Sequence, residues 1–226
     1  MLFAFDCDGV LVDSEFIASQ VDADILTRIG YPITPEEVSR RFAGLTAATI
    51  LGLVEDDLGH PVPPGTHEEQ KAELDRRLAS DLKAVPGAEE LLDRLDGARC
   101  VCSNSSSERL KLTLAKTGLT DRFRPYIFSA IEVGTKEPKP SPNVYAYAAQ
   151  QFNVSPREML VLEDSVFGVT AAKAAGARVV GFTGGRHSWV GHADLLTDAG
   201  AETVINRLAD LPAVAEALMA WEGMSD

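Results

Sequence analysis

The stretch FAFDCDGVLVDSE, residues 3–15, ends an apolar run on two aspartates, Asp6 and Asp8, separated by one residue. A second acidic pair, Glu163 and Asp164, follows the apolar run MLVL at 159–162, and Ser103 and Asn104 follow RCVC at 99–102. Carboxylates so placed can serve as nucleophile, as general acid and base, or as metal ligands. If the three runs are neighbouring strands, four carboxylates, a hydroxyl and a helix N-terminus suited to an anion meet in one volume. Like charges about 4 Å apart repel by roughly 1 kcal/mol even in water, and by more when shielded from it. A hard divalent cation resolves that repulsion. Mg2+ takes oxygen ligands, retains water, and is commonly held by one or two carboxylates together with a substrate phosphate.

The elements that must position these groups are legible as a repeat of strand and helix. Runs at 2–5, 99–102, 126–129, 159–162, 178–182 and 203–205 are nearly continuously apolar, which predicts buried parallel strands. Between them, Ser105 to Glu108 and Ser155 to Glu158 read as capping boxes, Pro142 as a first helical position after Ser141, and Gly118 and Gly176 as residues just past helix ends. The alternation predicts an α/β fold: a doubly wound parallel, Rossmann-like sheet, whose ligands bind at the carboxyl ends of the strands. Residues 14–83 break the pattern. They contain no convincing strand and four helical stretches, at 15–29, 35–42, 46–58 and 66–82, with Gly30 stopping the first and a box from Thr34 to Glu37 opening the second. The expected organisation is a core of residues 1–14 and 84–226 with an all-helical domain, residues 15–83, inserted after the first strand. Two linkers, near 13–15 and 85–87, make a hinge. The loop GHPVPPG at 59–65 is too rich in proline for helix and turns the last helix pair.

Bulk composition narrows the function. The chain has 226 residues, 45% hydrophobic and 24% charged, enough for one full core and a smaller second unit. A formal net charge of −13 without a Lys/Arg cluster argues against nucleic acid or an anionic membrane as partner, so an anionic substrate needs a local positive site. Cys7, Cys100 and Cys102 lack zinc-ligand spacing and read as small buried apolar groups of a reducing cytoplasm. No export segment and no apolar run of about 18 residues is present, so cytoplasmic localisation is expected, with a monomer as the default. His60, His67, His187 and His192 lack ligand spacing and stand in polar, loop-like contexts, which reads as solvated surface; Trp189 and Trp221 read as packing residues.

Four motifs in order carry a resemblance. DCDGVLVDS after the first strand, SN after the second, KPSPNVY at 139–145 and LEDSVFGVTAAKAAG at 162–176 resemble the haloacid dehalogenase superfamily of phosphohydrolases. The subgroup is the one with a helical cap inserted after the first motif, which includes β-phosphoglucomutase and sugar-phosphate phosphatases. The resemblance covers essentially the whole chain and implies that Asp6 is a nucleophile that forms an aspartyl-phosphate. It implies that Asp8 is first the general acid for the leaving group and then the base for water. Mg2+ would be held by Asp6, the backbone carbonyl of Asp8 and Asp164, with Glu163 assisting directly or through water. Ser103 and backbone N–H groups around Asn104 would bind the phosphoryl group, and Lys139 would neutralise charge on it and on Asp6. Lys136 is the nearby rival; Lys139 directly precedes Pro140-Ser141-Pro142, as in the family's motif. Arg41, in RRFAGLT, matches a cap segment whose arginine reaches a substrate phosphate or carboxylate, a surface salt bridge being the alternative. Asp13 matches a family position with either a hinge or a substrate role. Asn143 departs from the family's usual Asp, which questions the hydrogen bonding of the lysine loop.

An acid two residues after the nucleophile argues for a phosphate ester, since a leaving halide needs no proton. In β-phosphoglucomutase a cap histidine lies twelve residues after the nucleophile, where this chain has Ala18, which favours transfer to water. The expectation is a Mg2+-dependent phosphatase of a small phosphorylated metabolite, a sugar phosphate or a phosphorylated sugar acid. The alternatives are a phosphosugar mutase and a non-catalytic protein that binds a phosphorylated ligand. Glu15, Gln20, Arg41 and Thr46 are the candidates for selecting the substrate.

Overall fold

Alternate residues of a strand reach opposite faces of a sheet, so a strand that is apolar throughout must be covered on both sides. The computed structural model describes residues 1–222 and shows this arrangement. Strands β1 (Leu2–Phe5), β2 (Ala98–Ser103), β3 (Ile127–Ser129), β4 (Met159–Glu163), β5 (Arg178–Phe182) and β6 (Thr203–Ile205) form one sheet of order β3-β2-β1-β4-β5-β6. Every neighbouring pair is parallel. Phe3, Phe5, Leu160 and Leu162 face one layer, Leu2, Ala4, Met159 and Val161 the other. Apart from Ala4, each such side chain contributes about 1.5–3 kcal/mol on full burial, so β1 is anchored on both faces immediately before its two aspartates.

One layer is built by α5 (Ala88–Arg94), α6 (Ser107–Lys116) and α10 (Leu211–Glu222), the other by α7 (Asn143–Phe152), α8 (Val166–Ala175) and α9 (His192–Ala199). All three cysteines are buried and unpaired, as expected. Among the described residues no helix is long and apolar enough to cross a membrane. Helix entries differ from the sequence reading in three places. Ser106, not Ser105, caps α6, accepting from the Arg109 N–H. The box from Ser155 to Glu158 forms, but around a single 3-10 turn that runs straight into β4. Pro142 is the N-cap residue of α7 rather than its first helical residue.

The insertion consists of α1 (Ser14–Arg28), α2 (Pro35–Phe42), α3 (Ala47–Leu58) and α4 (Thr66–Asp81), with the Thr34 capping box in place on α2. Leu26, Val38, Phe42, Ile50 and Val54 give it an apolar cluster of its own, while Ile17, Val21, Leu78 and Leu82 join the core beneath the sheet. The two linkers are bonded to each other: the Asp13 N–H donates to the Lys83 carbonyl at 3.0 Å and the Val85 N–H to that of Leu11 at 2.9 Å. Further contacts cross to the core. Arg109 pairs with Asp75 at 2.8 Å, and the Arg186 guanidinium stands 3.7 Å over the Phe16 ring. Gly44, at φ +76°, lies so close to Phe167 that a Cβ would sit 2.3 Å from that ring.

Candidate active site

Strand register brings the acidic ends together. Phe5 pairs with Val101 on one side and Leu162 on the other, so the residues that follow, Asp6, Cys102 and Glu163, lie side by side at the carboxyl ends of the three strands. The chain then turns sharply at Gly9, whose φ of +84° is open to glycine at little cost. The Gly9 N–H donates to the Val12 carbonyl at 2.8 Å, and the Leu11 and Val12 N–H groups both donate to the Cys7 carbonyl at 3.0 Å. This compact loop delivers Asp8 to three hydroxyls. Ser14 donates to Oδ1 at 2.7 Å, and Ser105 and Ser103 donate to Oδ2 at 2.8 and 3.2 Å.

Lys139 is 3% exposed, and its Nζ donates to Asp6 Oδ1 at 2.5 Å, to Glu163 Oε1 at 2.6 Å and to the Cys102 carbonyl at 2.7 Å. Burial opposes its charge, but Asp6 and Glu163 outweigh burial and hold the ammonium well above the usual lysine range. Burial pushes the Asp6 carboxyl up; Lys139 pulls it down, while Glu163, Asp164 and Asp8 add to the rise. Glu163 differs from its expected role at the metal. It is fully buried, and both oxygens are committed to protein donors: Lys139 and Tyr145 on Oε1, the Ser165 N–H and hydroxyl on Oε2. A Cβ at residue 168 would fall 1.8 Å from Oε1, so the first turn of α8 closes over Glu163 only because Gly168 stands there.

Asn104 acts through its side chain. Its Oδ1 accepts the Lys139 N–H at 2.7 Å and its Nδ2 donates to the Lys139 carbonyl at 3.4 Å, clamping the lysine loop to the end of β2. Asn143 organises the same loop. Its Nδ2 faces the carbonyls of Ala130, Val133 and Glu137 at 2.8, 3.0 and 3.2 Å, and its Oδ1 accepts the Thr135 N–H at 2.8 Å. An ionised Asp has no donor for those carbonyls, so the amide suits this loop where the family pattern has a carboxylate. Lys136, the rival of Lys139, is exposed.

Two histidines correct the sequence reading. His60 and His67 are exposed as expected, but His187 and His192 are buried. His187 Nε2 lies 2.8 Å from Asp164 Oδ2, and His192 Nε2 lies 2.8 Å from the Asp164 carbonyl oxygen. Burial pulls the His187 pKa down, but the hydrogen bond to Asp164 and that carboxylate's charge hold it above its ordinary value. Trp189 is half-buried and stacked on His192, as a packing residue should be; the Trp221 side chain lies outside the described residues. The signal available in sequence was position: these histidines follow β5, which neighbours β4, so their loop opens at the same end of the sheet. Ser105 was also missed, having been read as a helix cap.

Asp6, Asn104, Lys139 and Glu163 are thus joined by one set of hydrogen bonds and Asp8 and Ser103 by another, and Asp164 stands beside them over Gly9, where a Cβ would lie 2.0 Å from its Oδ2. Arg41 is not joined to them. Its guanidinium pairs with Asp57 at 2.6 Å and with the Tyr31 hydroxyl, all within the insertion and about half exposed, which is the surface ion pair weighed as its alternative. Asp13 pairs with Arg186 at 3.4 Å beside the linker.

The donor set fits a hard divalent cation. Four carboxylates meet, Lys139 pairing with Asp6 and Glu163 and His187 with Asp164, and the Asp6 carboxyl, raised first by burial, is raised further by the charges of Glu163, Asp164 and Asp8. No group of three or more His, Cys, Asp or Glu side chains forms a ready-made cage among the described residues. With Glu163 engaged, Asp6 and Asp164 are the carboxylates that would hold such an ion, to which the family resemblance adds the Asp8 carbonyl. Few protein ligands, with water and phosphate filling the rest, is how Mg2+ is usually held.

An open parallel sheet whose carboxylates gather at the switch point between β1 and β4 has the arrangement of an α/β enzyme. Residues 1–176 match the family model of haloacid dehalogenase-like hydrolases, and the chain belongs to that family. It is 32% identical over 187 residues to the 6-phosphogluconate phosphatase of Escherichia coli K12, which covers 81% of this chain and 83% of that protein. Among solved structures it is 50% identical to a conserved haloacid dehalogenase-like protein of unknown function from Agrobacterium tumefaciens, with a TM-score of 0.93 and coverage of 96% and 98% of the two chains. It is 33% identical to a HAD family hydrolase from Deinococcus radiodurans R1 solved with bound phosphate and sodium, with a TM-score of 0.83 and coverage of 96% and 95%.

Proposed function

We propose that the protein is a Mg2+-dependent phosphatase of a small phosphorylated carbohydrate, a sugar phosphate or a phosphorylated sugar acid, acting through an aspartyl-phosphate on Asp6. The observation that carries this reading is the pairing of Asp6, held by Lys139, with Asp8, held by three hydroxyls. Similarity to a 6-phosphogluconate phosphatase supports the substrate class.

In this account Asp6 attacks phosphorus, the bond to the leaving oxygen breaks, and Asp8 delivers its proton to that oxygen. Water then attacks the aspartyl-phosphate, Asp8 takes a proton from it, and phosphate departs with Asp6 restored. Splitting one displacement into two lets a single carboxyl serve as acid and base. Lys139 holds the nucleophile in place and offsets its charge, and Asn104 fixes the lysine loop. Ser103, at the mouth of β2 with the N–H groups that follow it, receives phosphoryl oxygens. Mg2+, held by Asp6, the Asp8 carbonyl and Asp164, would neutralise charge on the nucleophile and the phosphoryl group.

Residues 15–83 act as a cap in this reading, with the two bonded linkers as its hinge and its inner surface selecting the substrate. Where β-phosphoglucomutase has a cap histidine this chain has Ala18, which supports hydrolysis over mutase chemistry. The test is phosphate release from a panel of sugar phosphates, phosphosugar acids and phosphoglycolate, with Mg2+ and with EDTA, and with Asp6→Asn as control. Turnover that needs Mg2+ and Asp6 is expected. Full activity in EDTA would remove the metal from the account, and conversion of β-glucose 1-phosphate to an isomer would restore the mutase.

A further inference from the structure

The turn between β5 and α9, TGGRHSWVG at 183–191, has no part in the proposed reaction, yet it brackets Asp164 from two sides. His187 approaches the carboxylate, the two side chains being 8% and 5% exposed, and His192 approaches the carbonyl of the same residue. A carbonyl oxygen only accepts, so His192 Nε2 carries the proton, and its Nδ1, 3.1 Å from Ser188 Oγ, accepts. An ionised carboxylate likewise only accepts, so His187 donates from Nε2. Trp189 stacks on the His192 ring at 4.2 Å with an interplanar angle of 8° and fixes its plane.

Backbone space has been cleared for this bracket. A Cβ at Gly185 would lie 2.5 Å from His187 Cε1 and 2.9 Å from the Gly9 carbonyl. A Cβ at Gly9 would lie 2.8 Å from His187 Cε1 as well as against Asp164. Two loops of different strands therefore approach each other only because both carry glycine where the imidazole passes.

We propose that His187 and His192 are positioning residues for the cation, holding the Asp164 side chain and main chain in the orientation in which that carboxylate binds Mg2+. The inference rests on the metal reading under Proposed function. A metal ligand is useful only when held to within about 0.5 Å and 10–20°, and partners that hydrogen-bond a ligating carboxylate typically carry about 10–100-fold in metal affinity.

The experiment is Mg2+ binding to the intact protein without substrate, by titration calorimetry and by competition against Mn2+ followed by paramagnetic resonance, so that turnover plays no part. Asp164→Asn is the control. His187→Ala and His187→Phe, which remove the donor with and without loss of volume, are expected to weaken binding about tenfold or more, and His187→Gln, which keeps an N–H donor, to recover most of it. His192→Ala is expected to weaken binding less, since it touches only the carbonyl. Binding within about twofold of wild type in whichever of the Ala and Phe variants folds, judged by circular dichroism, would overturn the proposal while Asp164→Asn still loses Mg2+. A wild-type protein that binds no Mg2+, or an Asp164→Asn variant that binds it normally, would overturn the metal reading itself and the bracket with it.

Discussion

Ser105 Oγ lies 2.8 Å from Asp8 Oδ2 across 97 residues of sequence, and Ser103 Oγ reaches the same oxygen at 3.2 Å. With Ser14 on Oδ1, the carboxylate of Asp8 is met by three hydroxyls, groups that can donate to a carboxylate and turn to accept from a carboxylic acid. Such a shell serves a group that must alternate between the two states. Asp8→Ala should therefore lose about 10²–10⁴-fold on sugar phosphates, whose leaving alkoxide needs a proton, and markedly less on p-nitrophenyl phosphate. Steady-state rates on both substrates check this, and equal losses would contradict the acid role.

Lys139 is the cation between Asp6 and Glu163, both within 2.6 Å. Lys139→Ala leaves two buried carboxylates without it, a change that typically destabilises by about 3–5 kcal/mol. Urea unfolding should show a loss of that size. A loss under about 1 kcal/mol, the range of an exposed pair, would mean that this triad is not a buried ion pair in solution.

How much of this was legible in sequence depends on which physical rule each residue obeys. Asp6, Asp8, Glu163 and Asp164 interrupt apolar strands, and charge at the end of a buried strand has few explanations other than a site. The parallel sheet and the helical insertion followed from the same continuity of apolar runs and its interruption at 14–83. Ser105 was hidden by the run Ser105-Ser106-Ser107, in which local rules cannot choose the cap; a carboxylate 97 residues away decides it. His187 and His192 were read as solvated because a loop of glycines and polar residues gives no periodic signal of burial. Glu163 was placed at the metal by resemblance, while Tyr145 and Ser165, which with Lys139 engage its oxygens, follow from packing alone.

Glu15, at the start of α1, is solvent-exposed, yet the protein crowded around its carboxyl still strips water from the charge. That crowding pushes its carboxyl from 4.5 up to about 7, with Asp8 adding to the rise and His187 opposing it. Between those values the folded protein keeps a proton that the unfolded chain releases, so the contribution is favourable below about 4.5 and declines as pH rises to about 7. Glu15→Gln removes this decline. Melting temperatures of the two proteins from pH 5 to 8 should diverge in favour of the variant as pH rises, and parallel curves would contradict the shift.

Gly44 joins α2 to α3 beneath Phe167, at a positive φ and with no room for a Cβ. Gly44→Ala should push the insertion away from α8 and lower kcat/KM on a sugar phosphate more than on p-nitrophenyl phosphate, which has no sugar to enclose. Adding Phe167→Ala restores space and should recover part of the loss. A double variant no better than the single would place the effect in the backbone of the turn rather than in closure.

The central claim is a covalent phosphate on Asp6, and trapping that species tests it most directly. The Asp8→Asn variant lacks the base for the second step, so on mixing with p-nitrophenyl phosphate and quenching with acid it should accumulate phosphate on the peptide that carries Asp6. The same peptide from the Asp6→Asn variant should carry none. Phosphate on another residue, or normal turnover by Asp6→Asn, would contradict the account.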